Sequence, residues 1–127
     1  MPQDRATAEE LLSGVEAFLR KDVLPQLSGN SIYKCRVAAN ILSIVQRELA
    51  QGEKADAAEL SGLKKLLDRE SDAADTSSAL DELNGQLCKQ IRLGQLDKQR
   101  ESVFAHVRST LTKKVEIANP RYAGLKK

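Results

Sequence analysis

The sequence predicts an all-α fold: a single-domain antiparallel bundle of about five helices, with helix two (about 31–51) central. Two observations predict it. Apolar residues recur at three- and four-residue spacing in five segments, and no segment sustains period-two alternation. The apolar 41% is mostly Leu, Val, Ile and Ala, with aromatics at 3% and no Trp, which suits helices better than sheets. At 127 residues the chain fits one domain, 1–127, and can bury a core without metals or disulfides.

The first helix opens on a capping box, Thr7 with Glu10, and Glu9 and Glu10 favour the positive end of the helix dipole. Leu11, Leu12, Val15, Phe18 and Leu19 form its stripe, and Pro25 stops or kinks it after about Val23. Leu27 to Ser31 is a turn, where Asn30 or Ser31 can cap the second helix. That helix runs to about Gln51, is apolar on most sides, and is expected to stop at Gly52. A helix apolar on most sides is expected to pack against several neighbours.

The third helix covers about Lys54 to Arg69, with Leu60, Leu63, Leu66 and Leu67 on one face. Ser71 to Ser78 reads as a loop carrying the next cap. The fourth helix, about Ser78 to Leu93, has the stripe Leu80, Leu83, Leu87 and Ile91 and closes at Gly94. The fifth runs from about Leu96 or Asp97 to Ala118, and Asn119-Pro120 ends it. Its expected buried side is Val103, Phe104, Val107, Leu111 and Val115, extended by Leu96, Arg100 and Ala118.

Composition narrows the function. One His and two Cys cannot build a Cys₂His₂ or Cys₄ zinc site, so neither metal nor cofactor is expected. Cys35 and Cys88 form no CxxC pair and are expected as buried or half-buried thiols in a reducing cytoplasm. The start is polar and acidic, unlike a signal peptide, and no stretch approaches the ~18–20 apolar residues of a membrane span. GxGxxG, P-loop, GxSxG and HExxH motifs are absent.

Charge is unevenly placed. Residues 1–88 hold 10 Lys/Arg against 15 Asp/Glu, and residues 89–127 hold 10 against 3. Such asymmetry marks either an anion site or a basic segment packed beside acidic ones. The last helix spreads Lys98, Arg100, Arg108, Lys113 and Lys114 around its circumference, with Lys126 and Lys127 beyond it. Without a basic stripe and stacking aromatics, nucleic acid is not the expected partner.

Three groups of residues are candidate sites. Arg36, Asn40 and Arg47 share the narrow polar stripe of the second helix. Two guanidiniums and a carboxamide can bind a phosphate or carboxylate, or can tie the helix to an acidic neighbour. His106 sits at the edge of the last helix's stripe; a catalytic histidine would need a nucleophile or water in reach and an orienting carboxylate. Arg121 and Tyr122 can reach a ligand or partner, or Tyr122 can fold back over the core.

The segments DRATAEELLSGVEAFLRKDVLP (4–25), RVAANILSIVQREL (36–49) and AHVRSTLTKKVEIANPRY (105–122) resemble a family of small, uncharacterised bacterial helical proteins. The resemblance spans nearly the whole chain, apart from the middle, 53–75. Matching positions are Arg36, Asn40, Arg47 and Glu48, then His106, Asn119, Pro120 and Tyr122. Relatives commonly carry an aromatic residue and a His just ahead of the arginine; here Tyr33-Lys34-Cys35 stands there, which weakens a catalytic reading.

Members of that family are commonly encoded beside an aminoglycoside-phosphotransferase-like kinase and an acyl-CoA dehydrogenase. The resemblance therefore implies a non-enzymatic accessory protein of acyl-CoA catabolism, with Arg36, Asn40, Arg47, His106 and Tyr122 as ligand- or partner-binding residues. The alternative is a bundle that binds an acyl-CoA or another phosphate-bearing ligand, with Arg36 and Arg47 pointing into a pocket. An enzyme comes third, since convergence of His106 or the Arg36 face with carboxylates is not legible in a sequence. A homodimer, built through the first or last helix, is compatible with all three.

Overall fold

A computed structural model describes residues 6–125. Among these residues the protein is all-helical and has no strand. There are four α-helices: α1 (Ala8–Phe18), α2 (Asn30–Leu67), α3 (Thr76–Arg92) and α4 (Arg100–Ala118). The five expected helices become four because the second and third are continuous through Gly52. Gly costs a helix about 1 kcal/mol relative to Ala. The surrounding Leu49-Ala50-Gln51 and Glu53-Lys54-Ala55 are strong helix formers, which offset it. The chain divides into two compact units, Met1–Gln51 and Gly52–Lys127.

In the first unit, α1 opens on the expected capping box. The Glu10 amide donates to Thr7 Oγ1 at 3.1 Å, and the Thr7 amide donates to Glu10 Oε1 at 2.9 Å. The helix continues as one π-helical turn, Leu19–Val23, and a 3₁₀ turn, Leu24–Gln26, that contains Pro25. Gly29, at φ +63°, supplies the left-handed step that reverses the chain into α2. Residues then pair in opposite order along the two arms of this hairpin, Glu16 with Gln46 and Arg20 with Asn40. Cys35 and Ala39 are buried, and their small side chains let the arms approach closely.

The rest of the expected first-helix stripe divides. Leu12 and Leu19 are half-buried, while Leu11, Val15 and Phe18 are exposed. The expectation that α2 is packed on most sides also fails in this unit, where Val37, Ile41, Val45 and Leu49 are exposed. The Ala8–Leu27 arm covers only the side that carries Cys35 and Ala39.

In the second unit, Leu63, Leu83, Leu87 and Leu96 form the core, with Leu60, Leu66, Leu67, Leu80 and Val103 packed against it. The leucines expected on the third and fourth helices thus meet one another. At the end of α2, Asp68 takes φ 49° and the Arg69 amide bonds the Lys64 carbonyl at 3.2 Å. Asp75 caps α3, accepting from the Ser78 amide at 2.7 Å, and Gly94, at φ +76°, ends the turn after it as expected.

Two expectations are corrected here. On α4, Val103, Val107 and Val115 are half-buried as expected, His106 and Thr110 join them and Ile117 is buried, whereas Arg100, Phe104, Leu111 and Ala118 are exposed, Phe104 at 66%. The helix is thus turned from its most apolar orientation, with His106 against Gly62 and Lys114 toward Glu59. Cys88, expected at least half-buried, is exposed. Lys126 and Lys127 lie outside the described residues.

Candidate functional site

The polar groups of the first unit gather along the hairpin seam. Glu16 lies one helical turn before Arg20, a spacing that pairs opposite charges on one face. Arg20 Nε donates to Glu16 Oε2 at 2.8 Å, Gln46 Nε2 donates to Glu16 Oε1 at 2.7 Å, and an Arg20 terminal nitrogen donates to Asn40 Oδ1 at 2.9 Å. Arg47 is half-buried and donates to Ser43 Oγ at 3.0 Å. Of the three residues on the α2 polar stripe, two are therefore engaged with near neighbours. Arg36 is exposed and makes no side-chain hydrogen bond or ion pair among the described residues.

The hydrogen bond from Arg20 holds the Glu16 carboxyl below its ordinary value of 4.5, and Gln46 and the Arg47 charge add to it against the opposing effect of burial. A carboxylate whose pKa is lowered by folding stabilises the fold above its unfolded pKa. That contribution is lost as pH falls through the lowered folded value. Glu10 and Asp75, lowered by bonds with Thr7 and Ser78, act in the same direction. Acid titration of stability is therefore expected to show a decline starting near pH 4.5. Glu16→Gln is expected to make that decline shallower in a circular-dichroism titration; an unchanged slope would mean that the seam pair is not formed in solution.

In the second unit, Glu59 on α2 is buried at 7% exposure. Its Oε2 accepts from Asn84 Nδ2 of α3 at 3.0 Å, and Lys114 Nζ of α4 lies 3.6 Å from Oε1. One turn along α2, His106 packs against Gly62, where an added Cβ would lie 2.7 Å from Nδ1. The missing side chain at Gly62 is what admits the imidazole, so His106 is a packing residue on the buried side of α4.

Gly62→Ala is accordingly expected to destabilise the protein through a displaced imidazole. In a His106→Ala background the same change is expected to stabilise it by up to about 1 kcal/mol, the helical preference of Ala over Gly. A Gly62→Ala effect equal in both backgrounds, measured by urea denaturation, would refute the contact.

Tyr122 follows α4, is exposed, and donates its amide to the Asn119 carbonyl at 3.0 Å. Its ring lies against Gly124. It does not cover the core. The five candidate residues thus occupy separate places: Arg36, Asn40 and Arg47 on the hairpin, His106 inside the second unit and Tyr122 near the end of the chain. An open surface cleft of about 450 Å³ lies in the second unit, lined by Ala57, Leu60, Ser61, Lys64, Lys65, Glu70 and Thr76. None of the five lines it, and Lys64 pairs with Glu70 at 3.2 Å.

Sequence reading missed the residues that do converge. The Glu16–Arg20 spacing and a glycine inside a helical pattern, Gly62, were legible signals. Glu59, Asn84 and Lys114 carried none, because each resembles a solvated helix residue.

Among the described residues no group of three or more His, Cys, Asp or Glu is placed to hold a metal, and no helix is long and apolar enough to cross a membrane. The arrangement defines an all-helical protein in which Glu16, Arg20, Asn40 and Glu59 are paired internally, while several large apolar side chains stay exposed on its helices. The chain belongs to the family described as a domain of unknown function, DUF6285, whose model matches residues 25–122. No curated protein and no solved structure matches it.

Proposed function

We propose that this chain is a non-enzymatic accessory protein that works by presenting helix faces to other proteins. The observation that carries the reading is the apolar surface left open. Leu11, Val15, Phe18, Val37, Ile41, Val45 and Leu49 are exposed on the hairpin, and Phe104, Leu111 and Tyr122 on the second unit. Leu11, Val15 and Phe18 on α1, and Val37, Ile41, Val45 and Leu49 on α2, recur every three or four residues, so each set shares a helix face, and apolar faces left to water mark association surfaces. The separate placement of Asn40 and Arg47 on the hairpin and of His106 against Gly62 in the second unit supports the same reading, because a catalytic histidine needs a nucleophile or carboxylate in reach.

The partner class follows from the resemblance stated above: a phosphotransferase-like kinase or an acyl-CoA dehydrogenase of acyl-CoA catabolism, met in the cytoplasm. Arg36 and Tyr122, exposed and uncommitted to the core, are the contact residues of choice, with Phe104 and Leu111 as apolar anchors. The test is recovery of the tagged full-length chain from its own host, with mass spectrometry of what co-elutes. Stoichiometric kinase or dehydrogenase is expected, and Phe104→Ser or Tyr122→Ala is expected to reduce it. Recovery of the chain without either enzyme overturns the partner.

A second reading, binding of a phosphate-bearing small molecule, is favoured by the open cleft that carries Lys64, Lys65 and Thr76. Lys65 and Lys64 would hold the phosphate there, Lys64 by exchanging Glu70 for it. Coenzyme A at millimolar concentration would then raise the unfolding temperature, and no shift would dismiss it.

A further inference from the structure

The hairpin face of α2 repeats with a coiled-coil period. Lys34, Val37, Ile41, Ile44 and Glu48 follow one another by three, four, three and four residues, with Ala38 and Val45 alongside. That spacing keeps them on one side of the helix. Val37, Ile41 and Val45 are exposed, Ile41 at 54%.

The pattern is also self-complementary about Ile41. Lys34 and Glu48 stand seven residues to either side, Val37 and Val45 four, Ala38 and Ile44 three. A two-fold axis at Ile41 sets each member of a pair opposite its mate on a second antiparallel copy. Apolar residues then meet apolar ones, and each end of the seam is closed by an opposite-charge pair.

The charge of the whole hairpin agrees. At the turn end, residues 17–40 hold four Lys/Arg against one Asp, while residues 6–16 and 41–51 hold four Glu against one Arg. An antiparallel second copy lays the basic end of one hairpin along the acidic end of the other; a parallel one would set like against like.

We propose that the outer face of α2 between Lys34 and Glu48 is an isologous interface with a second copy of this chain, antiparallel, with its two-fold axis at Ile41. The accessory protein therefore acts as a dimer. This inference rests on the reading of the chain as an interaction protein and assigns the occupant of one of its faces.

Light scattering and sedimentation equilibrium on the full chain test it. Wild type is expected at twice the 14.0 kDa chain mass, and Ile41→Glu at the chain mass. Lys34→Glu alone sets two carboxylates opposite each other at both ends of the seam, and Glu48→Lys alone sets two ammonium groups there. Each is expected to weaken the dimer by about tenfold. Combining Lys34→Glu with Glu48→Lys restores opposite charges across the axis and is expected to restore the dimer.

The charge-exchange variants alter exposed side chains, so they test the interface even where Ile41→Glu disturbs folding. A monomeric wild type at high concentration overturns the proposal, as does a dimer untouched by Ile41→Glu. So does a double exchange that fails to recover what the single ones lose. A monomer that still co-elutes with a kinase overturns the dimer and leaves the accessory reading standing. A dimer of the expected behaviour that captures neither enzyme does the reverse.

Discussion

Leu63→Ala is expected to destabilise the second unit by about 2–5 kcal/mol. Leu63 and Leu83 are the two largest fully buried side chains, each at 0% exposure. Leu63 packs in one cluster with Leu83, Leu87 and Leu96. Truncation removes buried methyl groups from an apolar setting and leaves a hole walled by leucines that helix geometry holds in place, so both the transfer and the cavity penalties apply. Small domains are stable by only about 5–15 kcal/mol, so this one change consumes a large part of the margin.

The measurement is urea denaturation followed by circular dichroism, with Leu111→Ala as the control. Leu111 is exposed, and its truncation is expected to stay within about 0.5 kcal/mol. A cost for Leu63→Ala near that of the control would show that the core of this unit is not where the structure places it.

Asn84→Ala is expected to cost about 1.5–3 kcal/mol, the range for a hydrogen bond to a charged group. The Glu59 carboxylate is almost out of reach of water and relies on Asn84 Nδ2 at 3.0 Å, with Lys114 farther away at 3.6 Å. Removing the amide leaves a buried charge short of a donor, which costs more than the bond itself contributes.

The converse experiment separates these terms. Replacing both groups, in Glu59→Leu/Asn84→Leu, removes the need along with the donor and is expected to be close to neutral, leaving Lys114 hydrated at the surface. If the double variant costs as much as the sum of the single ones, the two residues act independently and the pair is not formed.

These residues also show what a sequence carries and what it does not. The capping box at Thr7, the turn at Gly29, the stop at Gly94 and the end at Asn119-Pro120 are where they were expected, because each rests on interactions within a few residues of the backbone. The leucines of the core were equally legible, since Leu63, Leu83 and Leu87 lie on stripes that have no apolar alternative. Gly52 was misread as a stop because a glycine's conformation depends on the helix carried past it, and Gly52 keeps helical geometry. For the binding residues, the sequence identified Arg36, Asn40 and Arg47 as a stripe, and the fold engages two of them with Arg20 and Ser43.

By itself, then, the sequence determined that the chain is helical, where most of its helices begin and end, and which leucines have nowhere to go but inside. Helix content and capping are settled by local hydrogen bonding and side-chain entropy, so they survive in any arrangement. Only the tertiary structure decided how α4 is turned, which carboxylate is buried, and which apolar faces stay in water. The last helix presents Val103, His106 and Ile117 inward, and leaves Phe104 and Leu111 outside, because Gly62 and Glu59 offer it a hole and a charge to meet. Periodicity gives a helix its stripes, but the shape and polarity of the neighbouring surface choose among them.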